Sequence, residues 1–148
     1  MPESVHIPVL VPEVVAGLNL KSGDNVIDAT LGGGGHSAAI LAAIAPGGKL
    51  LGIDWDSRAI ELAKQKLEKY QNRIILKTGN YTDIKRLVYE SGFTPINAIL
   101  LDLGLSGDQL QDRSRGFSFQ GPGALDMRFS DQGELTAARI VNTWSEND

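Results

Sequence analysis

The chain contains no cysteine. That excludes a disulfide framework, a thiolate metal site and a thiolate nucleophile, and it fits a reducing compartment. Basic charge is also scarce: 14 Lys and Arg stand against 18 Asp and Glu, for a net charge of −4. A chain that held nucleic acid by itself would usually be basic. Either the partner is not nucleic acid, or the basic surface lies elsewhere. Long apolar runs are missing too, and no stretch approaches the roughly 18 residues needed to span a bilayer. The start, Met1-Pro2-Glu3-Ser4-Val5-His6, is polar and carries an acid, unlike a signal peptide. We expect a cytoplasmic protein with no membrane partner.

What remains is an ordinary globular composition, 42% hydrophobic and 22% charged over 148 residues. That is enough chain for one domain with a real core. Val9, Leu10, Val14, Val15 and Leu18 recur at helical spacing and predict a helix from about Val11 to Leu18. Asn25 to Ala29 predicts a short buried strand. A helix of small residues opens at Gly35 or His36 and is stopped near Ile44 by Pro46-Gly47-Gly48. Lys49 to Ile53 predicts a second strand. Asp56 or Ser57 caps a helix that turns Ile60, Leu62, Ala63 and Leu67 to one face. Arg73 to Lys77 is a third strand, a helix from Thr82 or Asp83 ends at Gly92, and Ile96 to Leu101 is a fourth strand.

This alternation predicts an α/β fold with a parallel sheet. After Asp102 the pattern breaks. Leu103 to Gly133 has no period and predicts a loop, and a short helix follows from Leu135 to Trp144. Four strands are few for a doubly wound sheet, so we expect the sheet to be truncated after the fourth. Its open edge would then expose Ile96, Ala98, Ile99 and Leu100 and favour self-association.

The most informative stretch is Val26-Ile27-Asp28-Ala29-Thr30-Leu31-Gly32-Gly33-Gly34-Gly35-His36-Ser37. An apolar run ends in an acid, then four glycines, then a helix start. A second apolar run, Leu50-Leu51-Gly52-Ile53, ends in Asp54. A strand, glycine turn, helix and acid-ended strand form a nucleotide-type cofactor site. Glycines let backbone approach a ligand, and the acid can accept hydrogen bonds from a ribose diol. Gly33-Gly34-Gly35-His36-Ser37-Ala38 formally fits the dinucleotide fingerprint.

Each candidate has a plainer reading. His36 either faces the cofactor or caps the helix. Asp28 bonds either a ligand's ammonium group or the turn itself. Asp54 reads as a ribose acid and Asp56 as a helix cap. Gly79-Asn80-Tyr81 lies at the same sheet edge, where Tyr81 lies against a base or packs on the core. Asp102, ending the fourth strand, accepts a proton or hydrogen bond from a substrate amine, or fixes a loop.

Taken together, several segments resemble the rRNA small subunit methyltransferase H family. They are His6-Ile7-Pro8-Val9-Leu10, Asp28 to Ser37, Gly52-Ile53-Asp54, Gly79-Asn80-Tyr81, Ile99 to Ser106, Arg115-Gly116-Phe117-Ser118-Phe119, Leu125-Asp126-Met127-Arg128 and Ala137 to Asn142. The resemblance implies a Rossmann-like class I methyltransferase fold that uses S-adenosylmethionine. It implies transfer of a methyl group to N4 of a cytidine in small-subunit rRNA, with rRNA or the ribosomal subunit as partner and substrate. It places cofactor contacts on Gly34, Gly35, His36, Asp54 and Tyr81, with Asp102 and Gln109 completing the pocket and Asp102 as the catalytic acceptor. No metal is required by that chemistry.

The family usually continues Ser-Ser-Pro-Gln-Leu-Asp where this chain has Ser106-Gly107-Asp108-Gln109-Leu110-Gln111. Its Gly-Pro-Leu-Asp-Met-Arg-Met is Gly123-Ala124-Leu125-Asp126-Met127-Arg128-Phe129 here. Its members are much longer and insert a helical substrate-recognition domain after the fourth strand. The implied division is a cofactor-binding core over residues 1–106 and the start of that insertion over 107–148. From Gly107 onward four arginines face seven acids, so no basic footprint for RNA is present there. Two other classes stay open on the residues alone: an NAD-dependent oxidoreductase, from the glycine fingerprint, and a non-catalytic cofactor-binding remnant acting through partners.

Overall fold

The computed structural model describes residues 8–130 and 133–146. It divides into two compact units, residues 1–103 and 104–148. The first is built on four parallel strands, β1 (Val26–Asp28), β2 (Leu50–Asp54), β3 (Ile74–Thr78) and β4 (Ala98–Leu100), in the order β3-β2-β1-β4. β1 pairs with β2 from Val26 opposite Leu50 to Asp28 opposite Gly52, and with β4 from Val26 opposite Ala98 to Asp28 opposite Leu100. The chain therefore progresses outward through β2 and β3, then returns to lie beside β1. That reversal creates a crevice at the carboxyl ends of β1 and β4.

Side-chain alternation along the strands divides the core between two faces. Val26, Leu50 and Leu100 join Leu31, Ile40, Leu41, Ile44, Ile60, Ala63 and Leu67 on one face. These come largely from helices α2 (Gly35–Ala43) and α3 (Ser57–Lys66), with Val14 of α1 (Val11–Gly17) packed against them. Ile27, Ala29, Leu51 and Ile53 join Leu87 and Phe93 on the other, where α4 (Ile84–Ser91) lies. Nearly continuous apolar residues in β1 and β2 are what burial on both faces demands. The caps follow the sequence: the Asp56 side chain accepts from the Arg58 amide, and α4 stops at Gly92 with φ of 60°.

Two expectations need correction. β4 is paired only over Ala98–Leu100, shorter than Ile96 to Leu101. Asparagines replace the ladder at its start: the Asn25 amide donates to Asn97 Oδ1 at 2.9 Å, and Asn25 Nδ2 donates to the Pro95 carbonyl at 3.0 Å. Leu100 does not line the open edge but is buried in the first core cluster, and Ala98 is half-buried against that cluster, while Ile96 and Ile99 are exposed.

Leu103 to Gly133 is not structureless either. It contains α5 (Gly107–Gln111) and a 3-10 turn, Arg113–Arg115. Ser106 and Gln109 form a reciprocal capping box at the start of α5, a Ser-x-x-Gln signal that periodicity alone overlooks. In this second unit the Arg115 guanidinium donates to the carbonyls of Arg128 and Phe129, both at 2.9 Å. Arg128 grips Asp126 through two bonds of 2.7 Å, which holds the Asp126 carboxyl below its ordinary range. The RGFSF and LDMR segments thus stitch one loop to the other. The helix α6 (Ala137–Thr143) begins at Thr136, whose side chain accepts from the Arg139 amide. Among the described residues no helix is long and apolar enough to cross a membrane.

The buried sheet carries the stability of the first unit. Ile27→Ala should cost about 2–5 kcal/mol, as expected when a fully buried aliphatic side chain leaves a cavity. Tyr89→Ala, on an exposed position, should stay within about 0.5 kcal/mol. Urea unfolding followed by circular dichroism checks both. Equal midpoints for the two variants would contradict this assignment of the core.

Candidate cofactor site

Strand β1 delivers Asp28 into the sheet crevice, and its carboxylate is fully buried. Oδ2 accepts from the Ser37 hydroxyl at 2.7 Å, and Oδ1 accepts from the Thr30 amide at 3.2 Å. Of the two readings of Asp28, the geometry supports the one in which it holds the turn. Burial pushes its carboxyl up to about 6, against the lowering influence of the Ser37 and Thr30 hydrogen bonds and of nearby His36. The Asp54 carboxylate adds a small further upward push.

The glycine turn runs between these two anchors. Gly32 has φ of 51° and Gly34 φ of 77°, conformations that side chains disfavour. Packing is as demanding as backbone. A Cβ on Gly35 would lie 2.6 Å from Pro8 Cγ, and one on Gly34 would lie 3.2 Å from Leu67 Cδ1. The glycines let the turn nest against its own protein, which leaves its backbone as the surface a ligand could meet.

Asp54, at the end of β2, is joined to that turn. Its Oδ2 accepts from the Gly32 amide and its Oδ1 from the Asp56 amide, both at 2.8 Å. One carboxylate therefore bridges the turn after β1 and the turn after β2.

His36 is the second residue of α2, whose N-cap is Gly34; it is buried, and its Nε2 lies 3.3 Å from Asp102 Oδ2. That is ion-pair distance without hydrogen-bond alignment. Neither ring nitrogen has a hydrogen-bond partner among the described residues. Asp102 follows β4 and is exposed, and its backbone amide donates to Thr30 Oγ1 at 2.7 Å. Tyr81 begins the 3-10 turn Tyr81–Asp83 after β3; it is 46% exposed rather than packed on the core, while Asn80 caps the turn by accepting from the Thr82 amide.

Gly34, Gly35, His36, Asp54 and Asp102 thus gather around one turn. Tyr81 follows the strand next to β2, whose Asp54 carbonyl accepts from the Gly79 amide. Gln109 belongs to the other unit. There it is buried, and its side-chain oxygen accepts from the Ser106 amide in the capping box.

The sequence reading overlooked Thr30 and Ser37, which look like ordinary turn and helix residues until their partners are seen. It also overlooked Trp55, a half-exposed aromatic next to Asp54. An exposed tryptophan directly after a strand-end acid was the available signal. Among the described residues no group of three or more His, Asp or Glu side chains could hold a metal ion.

Sheet order, glycine turn and strand-end acid together define a Rossmann-like cofactor-binding core. Solved structures share the fold. One is a protein from Clostridium thermocellum described as an rRNA-methylase, with TM-score 0.56 and 22% identity over 71% of this chain and 53% of that one. Another is a protein-L-isoaspartate O-methyltransferase, with TM-score 0.53 and 20% identity over 66% of this chain and 30% of that one.

The chain belongs to the MraW methylase family, whose model matches residues 3–148. Relatives named ribosomal RNA small subunit methyltransferase H are 49% identical in Thermomicrobium roseum and 46% in Dehalococcoides mccartyi, covering 98% and 97% of this chain. A third, from Brevibacillus brevis, is 40% identical. The chain spans only 44%, 41% and 46% of these three relatives.

The buried acid gives a pH signature. The folded Asp28 carboxyl titrates near 6, above its ordinary 3.8, so the folded state holds a proton that the unfolded state has released between those values. Stability contributed by the neutral acid is fully present below about pH 4 and is lost as pH rises through about 6, on the order of 3 kcal/mol in all. Asp28→Asn stays neutral and keeps an acceptor for Thr30. Its stability relative to wild type should rise between pH 4 and 6, read from urea midpoints at each pH. A constant difference across that range would contradict the buried-acid assignment.

Proposed function

We propose that this chain is the cofactor-binding part of an S-adenosylmethionine-dependent methyltransferase acting on N4 of a cytidine in small-subunit rRNA. One observation carries the reading: the glycine turn, the strand-end acid Asp54 and the exposed acid Asp102 converge at the crevice where strand order reverses. Family membership and the names of the relatives supply the substrate class. The NAD-dependent oxidoreductase alternative loses its basis, because the glycine fingerprint that suggested it occurs here within a methylase family.

The residues fit such a cofactor. The turn offers backbone, Asp54 an acceptor for a ribose diol, and the half-exposed Trp55 and Tyr81 aromatic faces near the same edge. The cofactor supplies an electrophilic methyl sulfonium. Asp102 accepts a hydrogen bond from the exocyclic amine of the target base, holding it in line and taking up its proton. The compartment is the cytoplasm, where such RNA is found.

Calorimetry with S-adenosylhomocysteine and with NAD tests the proposal. The demethylated cofactor should bind and NAD should not. Asp54→Ala should weaken S-adenosylhomocysteine binding by roughly 10- to 100-fold, the scale of charge-assisted hydrogen bonds. Binding of NAD alone, or an unchanged affinity in the variant, would overturn it.

The 148-residue chain should turn over little substrate by itself. Residues from Gly107 carry net acidic charge, whereas phosphate contacts supply most RNA affinity. Exposed Ile96 and Ile99 border the outer backbone of β4, an edge that favours pairing with a second copy. Gel filtration should show concentration-dependent association. A monodisperse monomer that methylates small subunits efficiently would contradict both statements.

A further inference from the structure

The four glycines are bracketed by Thr30 before them and His36 after them, and both residues meet Asp102. On the near side, pairing between β1 and β4 ends with the Ala29 amide donating to the Leu100 carbonyl at 3.0 Å. The next contact is made by a side chain: Thr30 Oγ1 accepts from the Asp102 amide at 2.7 Å. On the far side, His36 Nε2 lies 3.3 Å from Asp102 Oδ2. One contact fixes the backbone of Asp102 and the other faces its carboxylate.

Asp28 stands behind both. It receives the Thr30 amide on Oδ1 and the hydroxyl of Ser37, the neighbour of His36, on Oδ2. The ends of the glycine turn are therefore pinned from within the sheet, and from that footing they reach Asp102. Asp102 is exposed on a segment beyond the last paired residue of β4. Without these contacts nothing in the ladder would set its direction.

We infer that Thr30 and His36 are positioning residues that hold Asp102 from the two ends of the glycine turn. The turn proposed to receive the cofactor then also aims the acid at the amine to be methylated. This consequence rests on the function proposed above; the clamp itself does not. His36 has a polar need that fits the role, since its ring is buried with no hydrogen-bond partner among the described residues and an acid stands beside Nε2.

The test uses nuclear magnetic resonance on the 148-residue chain without cofactor. Thr30→Val keeps the shape and removes the hydroxyl acceptor; Thr30→Ser keeps the acceptor. The Asp102 amide should exchange with solvent roughly tenfold faster in Thr30→Val, the scale of one net hydrogen bond, and return toward wild type in Thr30→Ser. A general loosening would instead speed exchange in both variants and in the β1 amides.

Asp102→Ala should move the ring nitrogen signals of His36, the residue whose Nε2 faces the Asp102 carboxylate. Equal Asp102 exchange in wild type and Thr30→Val, or unmoved His36 signals, would overturn the clamp. S-adenosylhomocysteine affinity, measured separately, reports only on the proposed function, so the two failures are distinguishable.

Discussion

The bridge made by the Asp54 carboxylate is the constraint on which the site depends. A turn with Gly32 and Gly34 at positive φ has lost the side chains that would otherwise restrict it. Left to itself it would be an ensemble. Asp54 Oδ2 takes the Gly32 amide and Oδ1 takes the Asp56 amide, so one side chain defines the turn after β1 and the start of α3 together. Charge-assisted bonds to backbone are the stronger kind, and these two share one rigid carboxylate. Asp28 does the corresponding work from beneath, and Pro8 closes against Gly35. An acid expected only to greet a ribose thus also builds the surface beside it.

This arrangement lowers the cost of binding. A ligand that must order a loop loses affinity to the ordering, whereas a turn already held by its own acids has met that cost during folding. Burying Asp28 opposes stability at neutral pH, since its carboxyl is pushed up to about 6. The fold tolerates that cost because β1 and β2 are buried on both faces by apolar residues such as Ile27, Leu50 and Leu51. Stability resides in the sheet, and the buried acid that opposes it sits at the carboxyl edge, a division between scaffold and site.

Much of the fold was legible because it depends on local pattern. Apolar runs of strand length, Asp56 as a cap, Gly92 as a stop and the glycine turn all act over a few residues. What escaped depends on partners far along the chain. No periodicity shows that Asp54 will meet Gly32, or that Thr30 and Asp102, 72 residues apart, will bond. Leu100 was placed on the open edge because strand alternation could not be phased without a partner, yet it points into the core. The α5 helix hid in a glycine-rich stretch because five residues carry no period, and only its Ser106–Gln109 box announced it. The family resemblance marked Arg115, Asp126 and Arg128 as special, while their part in joining two loop segments is visible only in three dimensions.

The central claim is that the glycine turn is formed by protein carboxylates before any ligand arrives. Hydrogen exchange at the Gly32 amide in the ligand-free chain tests it most directly. If Asp54 holds that amide, Gly32 should exchange slowly, with protection near that of the paired residues of β2. Exchange as fast as an exposed loop amide, with protection gained only on adding S-adenosylhomocysteine, would show that the ligand, not the protein, forms the turn.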